Sequence, residues 1–239
     1  MPTDDLLLPA IPVIHAVTTD EIVRRSSFLP QARAVMAVLG ARGAIQLRAP
    51  ELAAHAGGEL LDLARELVAE QARTGAWLVV NDRVDIALIA GARGIQLAGQ
   101  SMDVVDACRV AASQHTGAEP VVGASVHSLE EAVAARLAGA GWGVTGHLFR
   151  HVGARDVAHS PSSRAAAETL PEGMALLDQL VRFGGIPIVV IGGIVPQHIP
   201  PLRKLGVHGV AAIRGIWDAD NAERAAADYL SSYDAQVGG

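Results

Sequence analysis

The feature that most constrains this chain is its rhythm. A short apolar, β-branched run is followed by a helical stretch, and the pair recurs eight times in one pass along the sequence. Strands are expected at 11–18, 44–48, 76–80, 94–97, 120–126, 144–149, 186–191 and 209–213. The helical pattern is clearest at 59–73, where Leu60, Leu63, Leu67 and Val68 form one stripe and Gly75 ends it. Ser128 with Glu131 three residues later opens another helix as a capping box.

Strand and helix in strict alternation imply a parallel sheet with right-handed crossovers. The 239 residues lie close to the ~250 typical of a closed barrel, so the expected fold is α/β, a single (β/α)8 TIM barrel. A doubly wound sheet would carry a glycine fingerprint after its first strand, and none follows Thr18. No proline-rich linker breaks the pattern, so residues 1–239 read as one domain. Residues 1–10 are its N-terminal extension, and 150–163, rich in His, Arg, Ser and Gly, form a long loop after the sixth strand.

Composition narrows the partners. Half the residues are hydrophobic, yet no apolar run approaches the roughly 18 residues of a membrane span, so no membrane role is expected. A net charge of −6 and the lack of a basic run with interleaved aromatics argue against nucleic acid. Asp4 and Asp5 precede Leu6 to Leu8, unlike the basic start of a secretory signal. Cys108 is the only cysteine, which excludes an internal disulfide and fits a cytoplasmic protein. The sequence leaves the oligomeric state open, and a homo-oligomer is compatible with it.

In a parallel barrel the chemistry sits at the carboxyl ends of the strands. Those ends supply Thr18, Arg48, Asn81 with Asp82, Gln96, Ser125 with His127, His147, Gly192 with Gly193, and Arg214 with Gly215. Strand alternation puts Gly123, Ser125 and His127 on one face, and Gln46 with Arg48 on another. An imidazole with an ordinary pKa near ~6.5 exchanges protons at neutral pH, which makes His127 the first candidate for an acid or base. His147 ends the next strand, where it would orient His127 or bind substrate; a histidine hydrogen-bonded inside the barrel mouth explains it equally well.

The glycine pairs after the last two strands let backbone N–H groups approach an anion, and Arg214 would add a charge-assisted bond to a phosphate. The plainer reading is that Gly192 and Gly193 turn the chain and Arg214 is solvated. His15 shares a face with Val13 and Val17 and reads as packing. Asp82 and Asp103 are the one pair suited to a hard cation, but Asp103 is equally explained at the start of a helix. No His-x-x-x-His or Cys–His spacing supports zinc, so no metal is assigned.

Taken in order, these motifs resemble one superfamily, that of thiamine phosphate synthases and TenI-like thiazole tautomerases. The resemblance rests on Gln46 to Arg48, Val80 to Leu88, Gly94 to Leu97, Gly123 to Ala132, Gly146 to Phe149, Ile188 to Ile194 and Gly209 to Ile216. A synthase of that family needs Mg²⁺ and cationic groups for a departing pyrophosphate. Its pattern has a lysine shortly after the second-strand arginine, acidic residues directly after a His-Leu-Gly-Gln block, and a threonine and lysine after the sixth strand.

This chain instead has Arg48 to Glu51 reading Arg-Ala-Pro-Glu, Ser101 and Met102 after Gln100, and Phe149 to Arg155 lacking both the threonine and the lysine. Ser125 to Glu131 and Gly146 to Phe149 resemble the tautomerase branch, which implies that His127 is catalytic. The resemblance therefore implies a thiazole tautomerase of thiamin biosynthesis without a cofactor. It would aromatise a carboxylated thiazole phosphate, with Arg48 on the carboxylate, the glycine pairs on the phosphate, and Asn81 or Asp82 near the ring. Two alternatives stand beside it: a Mg²⁺-dependent, pyrophosphate-releasing thiamine phosphate synthase, and a non-catalytic protein that binds thiazole or thiamine phosphate.

Overall fold

The structure is a computed structural model that describes residues 10–99, 101–113, 119–146 and 171–235. In chain order the elements are β1 (Ile14–Val17), α1 (Asp20–Val23), α2 (Phe28–Leu39), β2 (Gly43–Leu47), α3 (Pro50–His55), α4 (Gly57–Thr74), β3 (Trp77–Asn81), α5 (Val84–Ala90), β4 (Gly94–Leu97) and α6 (Val104–Ala112). They continue with β5 (Val121–Ser125), α7 (Leu129–Leu137), β6 (Trp142–Thr145), α8 (Pro171–Phe183), β7 (Ile188–Ile191), α9 (Ile199–Lys204), β8 (Gly209–Ala212), α10 (Arg214–Trp217) and α11 (Ala222–Asp234).

The eight strands are all parallel, pair in chain order, and close into a barrel where Ile14 of β1 meets Val210 of β8. This is the (β/α)8 architecture that the alternation implies. Each strand is buried on both faces, which is why its sequence is a continuous apolar run rather than an alternating one. Outward residues such as Ile45, Leu47, Leu78, Val80, Ile188 and Val190 pack with the helical Leu60, Leu67, Ile86 and Leu180 in the larger core. Inward residues Ala44, Val79, Trp142, Val144, Val189 and Ala211 form a second core that fills the barrel.

Trp142 organises that inner core. Its Nε1 donates to Gln96 Oε1 at 2.8 Å, so Gln96 serves packing rather than a mouth-facing role. A Cβ on Gly123 would collide with the Trp142 indole, so the glycine makes room for that ring. His15 lies fully buried with its ring centroid 6.2 Å from that of Trp142, and its Nε2 is 3.0 Å from Pro12 O. Burial, and to a lesser degree the neighbouring His208, hold its pKa down at about 4 despite the Pro12 contact, so at neutral pH the ring is an uncharged packing group, as its place beside Val13 and Val17 implies.

Several boundaries differ from expectation. β5 ends at Ser125, so His127 lies two residues into the following loop rather than on the strand. β6 begins at Trp142, which pairs with Gly123, earlier than the expected 144. The short helices α1 and α3 carry too few apolar positions to show a helical period. α1 is instead set by Thr19, whose Oγ1 accepts from Ile22 N at 3.3 Å, and α3 begins at Pro50. His147, the expected end of the sixth strand, the 150–163 loop and residues 1–9 of the N-terminal extension lie outside the described residues. Among the described residues, no helix is long and apolar enough to cross a membrane.

Candidate active site

The carboxyl ends of β2 and β3 border a cleft of about 260 Å³. Its polar lining is Arg48, Asn81, Asp82 and Arg83, and its apolar wall is Ala49 and Pro50 with Ala53 and Ala54 of α3. Arg83 supports that wall: Nη1 donates to Ala53 O at 2.7 Å, and Nε and Nη2 hold both oxygens of Asp85. Arg48 is exposed, and its guanidinium makes no hydrogen bond or ion pair among the described residues. Its main chain is fixed by Thr18, whose Oγ1 accepts from Arg48 N at 2.9 Å and donates to Arg48 O at 3.1 Å. Thr18 is thus a support for the β2 loop.

Behind the cleft runs a chain of amides. Gln46 Nε2 donates to Asn81 Oδ1 at 2.6 Å, and Asn81 Nδ2 donates to Asp82 Oδ2 at 2.6 Å. Asp82 Oδ1 accepts from Ala98 N at 2.9 Å and from the hydroxyl of Ser101. Asp82 has φ of 62°, and it is the only non-glycine residue with positive φ among those described. Such backbone strain persists where surrounding bonds over-determine it, and it concentrates at functional sites. Ser101 carries no motif signal of its own; the four-residue spacing from Ala98 to Ser101, typical of a turn, is what could have drawn attention to it.

Asp103 takes the second of the two roles its sequence position allows. It is the N-cap of α6, its Oδ1 accepting from Val105 N at 2.8 Å. Among the described residues no group of three or more His, Cys, Asp or Glu is placed to hold a metal ion.

The two glycine sites come together after the neighbouring strands β7 and β8. Gly192 and Gly193 adopt φ of 109° and 66°, which side-chain-bearing residues rarely do. Tyr229 of α11 donates its hydroxyl to Ile194 O at 2.6 Å, and a Cβ on Gly215 would collide with that hydroxyl and lie 3.6 Å from Ile194 O. Tyr229 therefore draws the β7 and β8 loops together, and it explains the glycine at 215 without a ligand. Burial raises the Tyr229 pKa to about 12, so the phenol stays a donor. Arg214 is the exposed first residue of α10, and the first N–H groups of that helix have no partner within it.

Ser125 and His127 are not among the residues that line the cleft. Ser125 is half-buried at the end of β5, and His127 is exposed. Their side chains make no hydrogen bond among the described residues. The backbone N of His127 donates to Glu131 Oε2 at 2.6 Å, while Ser128 Oγ accepts from Glu131 N at 3.1 Å. The Ser128 half of the expected capping box is therefore in place, while the glutamate half takes the N–H of His127 instead of that of Ser128.

Comparison with known proteins follows the same lines. The family model described as thiamine monophosphate synthase matches residues 14–216. A thiamine-phosphate synthase of Chlorobium luteolum is 31% identical over 223 residues, 93% of each chain. That of Anaeromyxobacter dehalogenans is 33% identical over 206 residues, 86% of this chain and 84% of the relative. The solved thiamine phosphate pyrophosphorylase from Pyrococcus furiosus superposes with a TM-score of 0.73 at 27% identity, covering 95% of this chain and 97% of that one. A 3-hexulose-6-phosphate synthase at 17% identity, with a TM-score of 0.62, shares the fold.

Proposed function

The chain belongs to the thiamine monophosphate synthase family, and from that premise we propose that it is a pyrophosphate-releasing synthase joining a hydroxymethylpyrimidine diphosphate to a thiazole phosphate. The observation that carries this reading is the meeting of Arg48, Asn81 and Asp82 on one cleft. The lysine and the second carboxylate of the family pattern are absent, yet Arg48, whose guanidinium has no partner among the described residues, and Asp82, whose carboxylate is clamped, line the same cleft.

In the reaction the pyrimidine's methylene carbon loses its bond to the diphosphate oxygen, and the electron pair leaves with pyrophosphate. The thiazole nitrogen donates its lone pair to that carbon, closing the new C–N bond. Arg48 places a permanent positive charge where negative charge grows on the leaving group. Asn81, locked by Gln46 with its N–H₂ toward Asp82, holds the carboxylate at the cleft.

Asp82, the one carboxylate that lines the cleft, would hold Mg²⁺ together with the phosphorylated substrate, and such an ion would supply charge neutralisation for the leaving group. Gly192, Gly193 and Gly215, with Arg214, are the proposed seat of the thiazole phosphate. Support for this comes from the joining of their loops under Tyr229.

The decisive experiment supplies both substrates with Mg²⁺ and measures pyrophosphate. Release equimolar with thiamine phosphate is the expected result, and no release at saturating Mg²⁺ overturns the reading. A second reading, thiazole tautomerase, is favoured by the exposed imidazole of His127, whose ring is free of described partners. In it His127 takes the ring C2 proton and returns one to the exocyclic carbon. Conversion of the ylidene tautomer to the aromatic carboxythiazole phosphate, lost in His127→Ala, would establish it.

A further inference from the structure

We propose, resting on the synthase reading, that Ser101 is a positioning residue that clamps the Asp82 carboxylate at the cleft. After β4 the chain makes a four-residue turn in which Ser101 N donates to Ala98 O at 3.1 Å. The turn brings the Ser101 hydroxyl back within 2.9 Å of Ala98 N and onto Asp82 Oδ1. Ala98 N also reaches Asp82 Oδ1, at 2.9 Å. The main chain of Asp82 is held in turn by its N–H, which donates to Gln96 O at 2.9 Å.

The number of donors gives the clamp its meaning. A carboxylate offers about four acceptor positions. Ala98 N and Ser101 occupy those of Oδ1, and Asn81 occupies one on Oδ2. One position on Oδ2 remains, on a residue that lines the cleft. Asp82 is exposed and lies in a left-handed backbone conformation, where water competes for its hydrogen bonds and glycine would be favoured. Three donors on such a residue fix the direction of its free lone pair. Where the family pattern has acidic residues directly after its glutamine, this chain has a hydroxyl donor. A neutral group that orients the first carboxylate thus stands near the place of a second one.

The test compares Ser101→Ala and Ser101→Thr with the unmodified chain in two assays: steady-state thiamine phosphate formation, and titration of Mn²⁺ as a hard-cation probe in the presence of pyrophosphate. Ser101→Ala should lower kcat about tenfold while KM for the thiazole phosphate stays within about twofold, and should weaken Mn²⁺ binding about tenfold. Ser101→Thr, which keeps the hydroxyl, should restore both, with thermal melting unchanged across the set.

Unaltered kcat and Mn²⁺ binding in Ser101→Ala would overturn the proposal, as would losses that Ser101→Thr does not recover. If the unmodified chain forms no thiamine phosphate, the synthase reading fails, and the Mn²⁺ titration still decides the role of Ser101. Failure of the unmodified chain to bind Mn²⁺ with pyrophosphate overturns the clamp as well.

Discussion

Gln46 Nε2 lies 2.6 Å from Asn81 Oδ1, a buried hydrogen bond that dictates which way the Asn81 amide faces and so which of its atoms meets Asp82. Replacing Gln46 with Leu leaves Asn81 Oδ1 buried without its donor, at a cost of about 1–3 kcal/mol. The Asn81 amide then loses the bond that fixes its orientation. Chemical denaturation should show this loss, and kcat for thiamine phosphate formation should fall with it.

Asp82 separates stability from function. Asp82→Ala and Asp82→Gly both remove the carboxylate, but only Gly relieves the left-handed backbone. The Gly variant should therefore be more stable than the Ala variant by about 1 kcal/mol. Both should lose synthase activity. Equal stability of the two variants in urea would mean that the backbone at 82 is not strained.

The order and parallel pairing of the strands were legible because each is an apolar run separated by helical stripes, and closure followed from there being eight. The strand ends were less legible. Apolar runs continue past the last ladder bond, which is why 120–126 proved to be Val121–Ser125 and His127 fell in a loop. Arg48, Asn81 and Asp82 could be found from their place at strand ends. Ser101 could be placed in a turn at most, because its contact with Asp82 depends on that turn folding back onto another loop. The packing reasons for two glycines were also hidden: Gly123 leaves room for the Trp142 indole, and Gly215 lies against the Tyr229 hydroxyl, neighbours that only the folded chain brings together.

That explanation of Gly215 is open to test by a double-mutant cycle. Gly215→Ala places a methyl against the Tyr229 hydroxyl and should destabilise by about 1–3 kcal/mol, the range for overpacking. Tyr229→Phe removes the hydroxyl, leaving Ile194 O without its donor. The double variant should be more stable than the sum of the two single changes implies, by 0.5 kcal/mol or more as a rough estimate. Simple additivity would separate Gly215 from Tyr229.

His15 sets a pH dependence in the barrel core. Its pKa is 6.5 when solvated and about 4 when folded, because burial disfavours the charged ring. Between those values the unfolded chain binds more protons than the folded one, so stability rises with pH across that window. The contribution is fully present above pH 6.5 and is lost as pH falls toward 4, amounting to roughly 3 kcal/mol. His15→Phe removes the titrating group, and its plot of unfolding free energy against pH should be flatter between pH 6.5 and 4 than that of the unmodified chain.

Arg48 provides the clearest measure of what the cleft binds. Its guanidinium is exposed and has no partner among the described residues, so substitution leaves no acceptor stranded and should barely change the melting temperature. On the proposed reaction, Arg48→Gln removes the charge assigned to the leaving pyrophosphate, and kcat/KM for the diphosphate substrate should fall about 10- to 100-fold, the scale of a lost charge-assisted bond in the transition state. Arg48→Lys keeps the charge but not the fork of donors, so only part of the loss should return. A synthase rate unchanged in Arg48→Gln would move the pyrophosphate site away from β2, and an accompanying loss of tautomer conversion would instead place the thiazole carboxylate there.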